Sequence, residues 1–318
     1  MKLPLDIRDL MTSGAKLRAE RETPVRIAVF VDVEAPDELV DAVQSALHPQ
    51  TSGARLHVEA CAPGEALLVD DASDAVVAIT GPGSTLARSL EAARDRFVPT
   101  IVLALGEHAD DVSVRLSHPL LDTHADKDTD AVVRALGTWL ADRVSAKRLA
   151  LATNFSFVRR AVAEESVKAT AFQNGIIGAL AIIPGTDMPL MTANQAKMVM
   201  QIAAAYGEAL GAERVKELAA VVGGGFAFRA IARQALAFIP GFGWAVKGAI
   251  GYSGTLAMGY AAVEYFETGG DVAGLAEKLR EARDHALQAA DKARGRLGGV
   301  RAHVLPVDAP DPHGEAQL

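Results

Sequence analysis

Two rhythms divide the chain. Up to about residue 150, short apolar runs alternate with amphipathic stretches. "VRIAVFVD" (25–32), "DAVVAIT" (74–80) and "PTIVLALG" (99–106) are continuous apolar runs and predict buried strands, and "ARLHVEAC" (54–61) alternates like a strand. "PDELVDAVQSAL" (36–47) predicts a helix with Pro36 at its start and acids in its first turn; "TLARSLEAARDRF" (85–97) and "TDAVVRALGTWLADRV" (129–144) predict two more. Strands alternating with helices of this length predict βαβ units around a parallel sheet. Beyond residue 150 the strand rhythm stops, and 155–297 reads as helix after helix. The run 192–206 opens with Thr192 and Gln195 at capping-box spacing, and 212–222 is stopped by Gly223, Gly224 and Gly225. Residues 272–297 repeat Leu275, Leu279, Ala282, Ala286, Ala289, Ala293 and Leu297 along one narrow seam.

The division this predicts is a helical or flexible segment 1–23, an α/β domain 24–150, an apolar all-α helical domain 151–271, a polar amphipathic helix 272–297 and a disordered tail 298–318. Among the 318 residues half are apolar and 5% aromatic. Charge is uneven: 16 basic and 24 acidic residues fall in 1–150, and 16 of each in 151–318. An acidic first half argues against nucleic acid as a partner. The single cysteine, Cys61, excludes an internal disulfide and a cysteine zinc site. Asp6, Arg8 and Asp9 stand where a signal peptide would carry an apolar run, so the chain reads as starting in the cytosol.

The stretch "SDAVVAITGPGSTLARSLEAARDRFVPTIVLALG" resembles the strand–helix–strand of the Era-like small GTPases, and the resemblance covers about 24–145. It implies a P-loop-GTPase-like fold, yet the nucleotide motifs depart from the family. A phosphate loop needs glycines, a lysine and a hydroxyl after the first strand. Here Asp32, Glu34, Asp37 and Glu38 place four carboxylates in that turn. Each would repel a phosphate charge by about 3–4 kcal/mol at ~4–6 Å and an effective dielectric of ~20. Gly106-Glu107-His108-Ala109 replaces the guanine-reading motif. The expectation is a motif-less, non-catalytic domain that neither binds GTP nor uses a cofactor. The glycine-rich turn Gly81, Gly83, Ser84 is a weak anion-site candidate; its alternative is a tight turn with Ser84 capping the next helix. Asp122, His124, Asp126, Asp128 and Asp130 alternate like metal ligands, but Ala131 follows and no later Glu completes a calcium loop, so 122–130 is expected to be a solvated acidic loop.

Two apolar segments echo each other: "ALAIIPG" (179–185) and "ALAFIPG" (235–241). Ala169–Ile183 carries no charge, and between Arg233 and Glu264 Lys247 is the one charge in 30 residues. Pro184 with Gly185, and Pro240 with Gly241, must break or end their helices. Gly248, Gly251, Gly254 and Gly259 offer smooth faces for close helix packing. Residues 155–266 resemble domain-of-unknown-function family 697, a bacterial helical domain that follows GTPase modules and includes inner-membrane relatives. Pro184, Asp187, Pro189, Gln195, Met198, Ile202, Ala203, Tyr206-Gly207, Arg214, Glu217-Leu218, Ile239-Pro240-Gly241 and Tyr265-Phe266-Glu267 carry that resemblance. It implies a degenerate GTPase domain joined to its usual helical partner.

The expected function is a membrane-associated adaptor or regulator, cytoplasmic and bound to lipid and a protein partner, with membrane-contacting or transmembrane helices. The alternatives are an oligomeric pore or membrane-remodelling protein, and a wholly soluble scaffold. Arg229 and Arg233 would anchor a head-group edge or simply pair at the surface. Asp187 would cap the next helix or hold a ligand, and Lys247 with Asp187 would meet the carbonyls freed at the two breaks.

Overall fold

The computed structural model describes residues 7–62, 67, 69–81, 86, 98–106, 121–180, 187–209, 211, 213, 243–269, 274, 277 and 281. Five strands, β1 (Val25–Asp32), β2 (Ala54–Cys61), β3 (Ala75–Ile79), β4 (Thr100–Leu105) and β5 (Leu121–Asp126), form one sheet in the order β2-β1-β3-β4-β5, every pair parallel. The apolar runs explain this. A parallel strand is covered on both faces, so all of Ala75–Ile79 is buried and β1 sends alternate side chains to opposite cores. Ile27 and Val29 face one core with Val77, Ile79, Ile101 and Leu103, while Ala28 and Phe30 face the other with Val76, Ala78, Val102 and Leu86.

The helices are α1 (Ile7–Arg21), α2 (Asp37–Ala46), α3 (Thr129–Arg143), α4 (Arg148–Asn154), α5 (Arg159–Leu180), α6 (Asp187–Ala205) and α7 (Gly243–Glu267). Helices α2 and α3 cover the first core through Leu39, Val43, Leu136 and Leu140, and that core runs on without a break into the helical region, to Val162, Ala196, Ile202, Met258 and Phe266. At the end of the sheet where strands begin, polar contacts fix the join. Lys147 donates to the Asp74 carboxylate and to the Pro24 carbonyl, 2.8 Å each, and Asp74 also accepts from the Arg26 amide. The Thr51 hydroxyl donates to Asn154 Oδ1 (2.6 Å), and the Gln50 amide to the Asn154 carbonyl (2.8 Å). The carboxyl edge of the sheet is left at the opposite end.

Three expectations need correction. Residues 122–126 of the expected acidic loop 122–130 belong to strand β5, because the alternation of Asp122, Thr123, His124, Ala125 and Asp126 is the period of an edge strand. Helix α6 begins at Asp187, so Thr192 and Gln195 lie inside it and form no capping box; Pro189 is tolerated because first-turn amides have no helical acceptor. Among the described residues no helix is long and apolar enough to cross a membrane. In α7 the glycines, tyrosines and Lys247 lower the hydropathy of an otherwise long apolar helix.

The far end of α6 closes as a Schellman turn. Gly207 has φ +92, the Glu208 amide donates to the Ala203 carbonyl (2.9 Å), and the Gly207 amide to Ala204 (3.1 Å). Arg21, from the end of α1, donates to the carbonyls of Glu208 (2.9 Å) and Gly207 (3.4 Å). Burial and the neighbouring Arg159 lower the Arg21 pKa from its ordinary value. The predicted helix 212–222 apart from Glu213, which is helical, the helix 272–297 apart from three helical residues, and the tail 298–318 lie outside the described residues.

Candidate functional site at the carboxyl edge of the sheet

In this strand order the chain changes direction between β1 and β3, and doubly wound sheets take ligands in the crevice beyond the carboxyl ends of those two strands. Here β1 ends in Asp32, which is buried, and β3 runs into Thr80, also buried, and Gly81. Asp32 Oδ1 accepts from the Glu34 amide at 2.9 Å, and the Asp32 carbonyl accepts from Ala35 at 3.0 Å, so residues 32–35 fold into an Asx turn. That turn lies against β3. A Cβ built on Gly81 would stand 1.7 Å from the Glu34 carbonyl oxygen and 2.8 Å from the Ala35 nitrogen. Only glycine lets the two backbones come this close at the carboxyl ends of β1 and β3. Thr80 turns the other way, its amide and hydroxyl both donating to the Leu103 carbonyl at 2.9 and 3.2 Å.

The rim of this edge is acidic. Glu34, Asp37 and Glu38 are exposed around the start of α2, and Glu38 accepts from the Thr129 hydroxyl at 2.9 Å, which ties the first turns of α2 and α3 together. Asp128 caps α3, accepting from the Asp130 amide at 3.1 Å, and pairs with Arg134 at 3.3 Å. Asp126 accepts from the Asp128 amide, and the backbone donors of Asp128 and then Lys127 hold its pKa below the usual carboxylate value. Asp122 is committed elsewhere, accepting from Trp139 Nε1 (2.7 Å) and pairing with Arg143 (2.8 Å) on α3. The alternating carboxylates are therefore strand partners and helix caps. Among the described residues no three His, Cys, Asp or Glu side chains converge to hold a metal ion.

No protein-family model, no curated protein and no solved structure matches the chain. Its function has to be read from its own geometry.

The second feature of that geometry lies in the helices. Helices α5 and α7 run antiparallel at glycine distance. A Cβ on Gly259 would meet Val167 Cγ1 at 2.5 Å, one on Gly251 the Asn174 carbonyl at 2.6 Å, and one on Gly248 the Gly175 carbonyl at 3.1 Å, whereas Gly254 faces open space. Three of the four glycines read from the sequence thus make the seam. A polar knot holds it to α6: Asn174 Nδ2 donates to Thr255 Oγ1 (3.1 Å) and to the Met191 carbonyl (3.3 Å), Asn194 donates to Asn174 Oδ1 (3.0 Å), and Gln195 donates to Thr255 (2.9 Å). Sequence reasoning missed this knot, although Asn174 is a polar residue in the middle of a charge-free run. It also missed the exposure of Phe172 (65%), Ile176 and Leu180 (72%), which stand at helical spacing on the outer face of α5.

Of the predicted site residues, Gly81 lies in the crevice. Asp187 is the first residue of α6, and Lys247 is the fifth residue of α7; their side chains lie outside the described structure. Gly83, Ser84, Pro184, Gly185, Arg229, Arg233, Pro240 and Gly241 also lie outside the described residues.

Proposed function

We propose that the protein is a non-catalytic adaptor of the cytoplasmic membrane surface: a degenerate GTPase-like α/β unit that binds a protein partner, carried on helices that associate with lipid. The observation that carries the reading is the Glu34–Gly81 contact. It sets two backbone turns together where a parallel sheet would hold a nucleotide, and the four carboxylates of the first turn repel phosphate at the same place. The helical region supports the lipid half of the reading through the large apolar side chains it leaves exposed, Phe172, Ile176, Leu180 and Leu190. A pore would need helices that span the bilayer, and none among the described residues supports one. The test is fractionation of cells expressing the full chain, with a salt wash followed by detergent. The adaptor reading expects the protein in the membrane fraction after the salt wash and in solution after detergent; recovery in the first supernatant overturns it.

A further inference from the structure

Among the described residues β2 pairs with β1 alone, and the register of the two strands runs unbroken from Ala54 to Cys61. The Val25 amide donates to the Gly53 carbonyl (2.9 Å) and the Val33 amide to the Cys61 carbonyl (3.4 Å). Backbone groups alternate in direction along a parallel strand. The odd-numbered residues of β2 therefore serve β1, and Ala54, Leu56, Val58 and Ala60 turn their amides and carbonyls outward. The side chains of this edge are open as well: Arg55, His57 and Ala60 are exposed, and Val58 is 62% exposed. Edges that must stay single commonly carry lysine, proline or a bulge, and β2 has none of them.

We propose that this edge binds a second copy of the chain, β2 against β2 in antiparallel pairing about a two-fold axis at His57, so that two sheets join into one. The strand is self-complementary in that register. Arg55 stands opposite Glu59 of the partner subunit, Leu56 opposite Val58, Ala54 opposite Ala60, and His57 opposite itself. The backbone agrees, because the residues that turn outward are the ones this register joins as hydrogen-bonded pairs. Moving the axis to Leu56 or Val58 sets Arg55 against His57 or Cys61 and loses the Arg–Glu match. Leu56 and Val58 share the face of Ile27 and Val29, and Leu56 packs on the first core, so their pairing carries that core across the axis. Within one chain Arg55 and Glu59 lie about 13 Å apart along the strand, too far to pair with each other. The acidic surplus of residues 1–150 does not oppose the contact. Antiparallel pairing sends the two carboxyl rims, with Glu34, Asp37, Glu38 and Asp128, to opposite ends of the joined sheet. The other edge strand, β5, carries Asp122 and Asp126 with no arginine or lysine and has no such match. The proposal goes beyond the adaptor reading and stands without it.

The test is sedimentation velocity of the full chain over a concentration series, which is expected to reach the mass of two chains. Arg55→Glu creates two like-charged pairs about the axis and is expected to weaken association about tenfold or more. The double change Arg55→Glu/Glu59→Arg restores the match and is expected to recover it. Residue 57 meets its own copy across a pair of strands with Cα atoms about 4.5 Å apart, within disulfide reach. His57→Cys in a Cys61→Ser background is therefore expected to give a covalent dimer on mild oxidation, while Thr138→Cys, exposed on α3, is not. This cross-link decides independently of how the charge variants fold. A chain that stays single at every concentration overturns the proposal. A dimer that Arg55→Glu leaves intact, that the double change fails to recover, or that His57→Cys does not capture forms through another surface and overturns it too.

Discussion

At residue scale the account turns on side chains that are absent or unsatisfied. Gly81→Ala would drive a methyl into the Glu34 carbonyl, so it is expected to destabilise the fold by about 3 kcal/mol, the upper range for overpacking, as read by urea unfolding. An unchanged midpoint would mean that the two turns do not pack as described. Tyr206 is the opposite case. Its hydroxyl is buried with no hydrogen-bond partner among the described residues, and burial, with the Glu267 carboxylate adding to it, pushes its pKa up to about 12. Because the neutral, protonated form is the one the fold favours, this contribution to stability is complete below the ordinary value of about 10 and is lost as pH rises through about 12. Tyr206→Phe is expected to leave neutral-pH stability unchanged or improve it by about 1 kcal/mol, since an unpaired buried hydroxyl is removed, and to flatten the stability profile above pH ~10. Chemical denaturation at pH 7 and at pH 11 reads both effects.

At the scale of elements the glycine seam makes a paired prediction. Gly259→Ala collides with Val167 and is expected to cost about 1–3 kcal/mol, whereas Gly254→Ala meets nothing and is expected to stabilise α7 by up to about 1 kcal/mol. Thermal melts of the two variants should move in opposite directions; equal shifts would contradict the packing of α5 on α7. The same glycines show what was legible beforehand. Their number and spacing revealed a helix built for close approach, and the unbroken apolar runs of 25–32, 74–80 and 99–106 placed three strands to within a residue. β5 was hidden because its side chains are polar: Asp122 is tolerated on the sheet through Trp139 and Arg143, partners 17 and 21 residues away that no local pattern reveals. The capping-box spacing of Thr192 and Gln195 misled for a similar reason, since Gln195 serves a bond to Thr255 on another helix. The crevice was legible only in part: the acidic turn showed which chemistry was missing, but the contact at its mouth joins Glu34 to Gly81 across two strands.

At the scale of the whole molecule one core runs from β1 through α3 and α4 to α6 and α7, and the Asp74–Lys147 and Thr51–Asn154 contacts pin the join. Sheet and helices are therefore expected to unfold in a single cooperative transition, with tryptophan fluorescence and far-ultraviolet circular dichroism coinciding; two separated transitions would show that the join is weak. The Glu34–Gly81 contact and the acidic turn predict no heat of binding when magnesium and GTP are titrated into the protein, and a micromolar affinity would return the α/β unit to the nucleotide-binding proteins. The central claim couples the α/β unit to helices that meet lipid. Its most direct test is sedimentation of the purified full chain with phosphatidylcholine vesicles in high salt. The account predicts that the protein pellets with the vesicles and is freed by detergent. Protein that stays in the supernatant at every lipid concentration would contradict it.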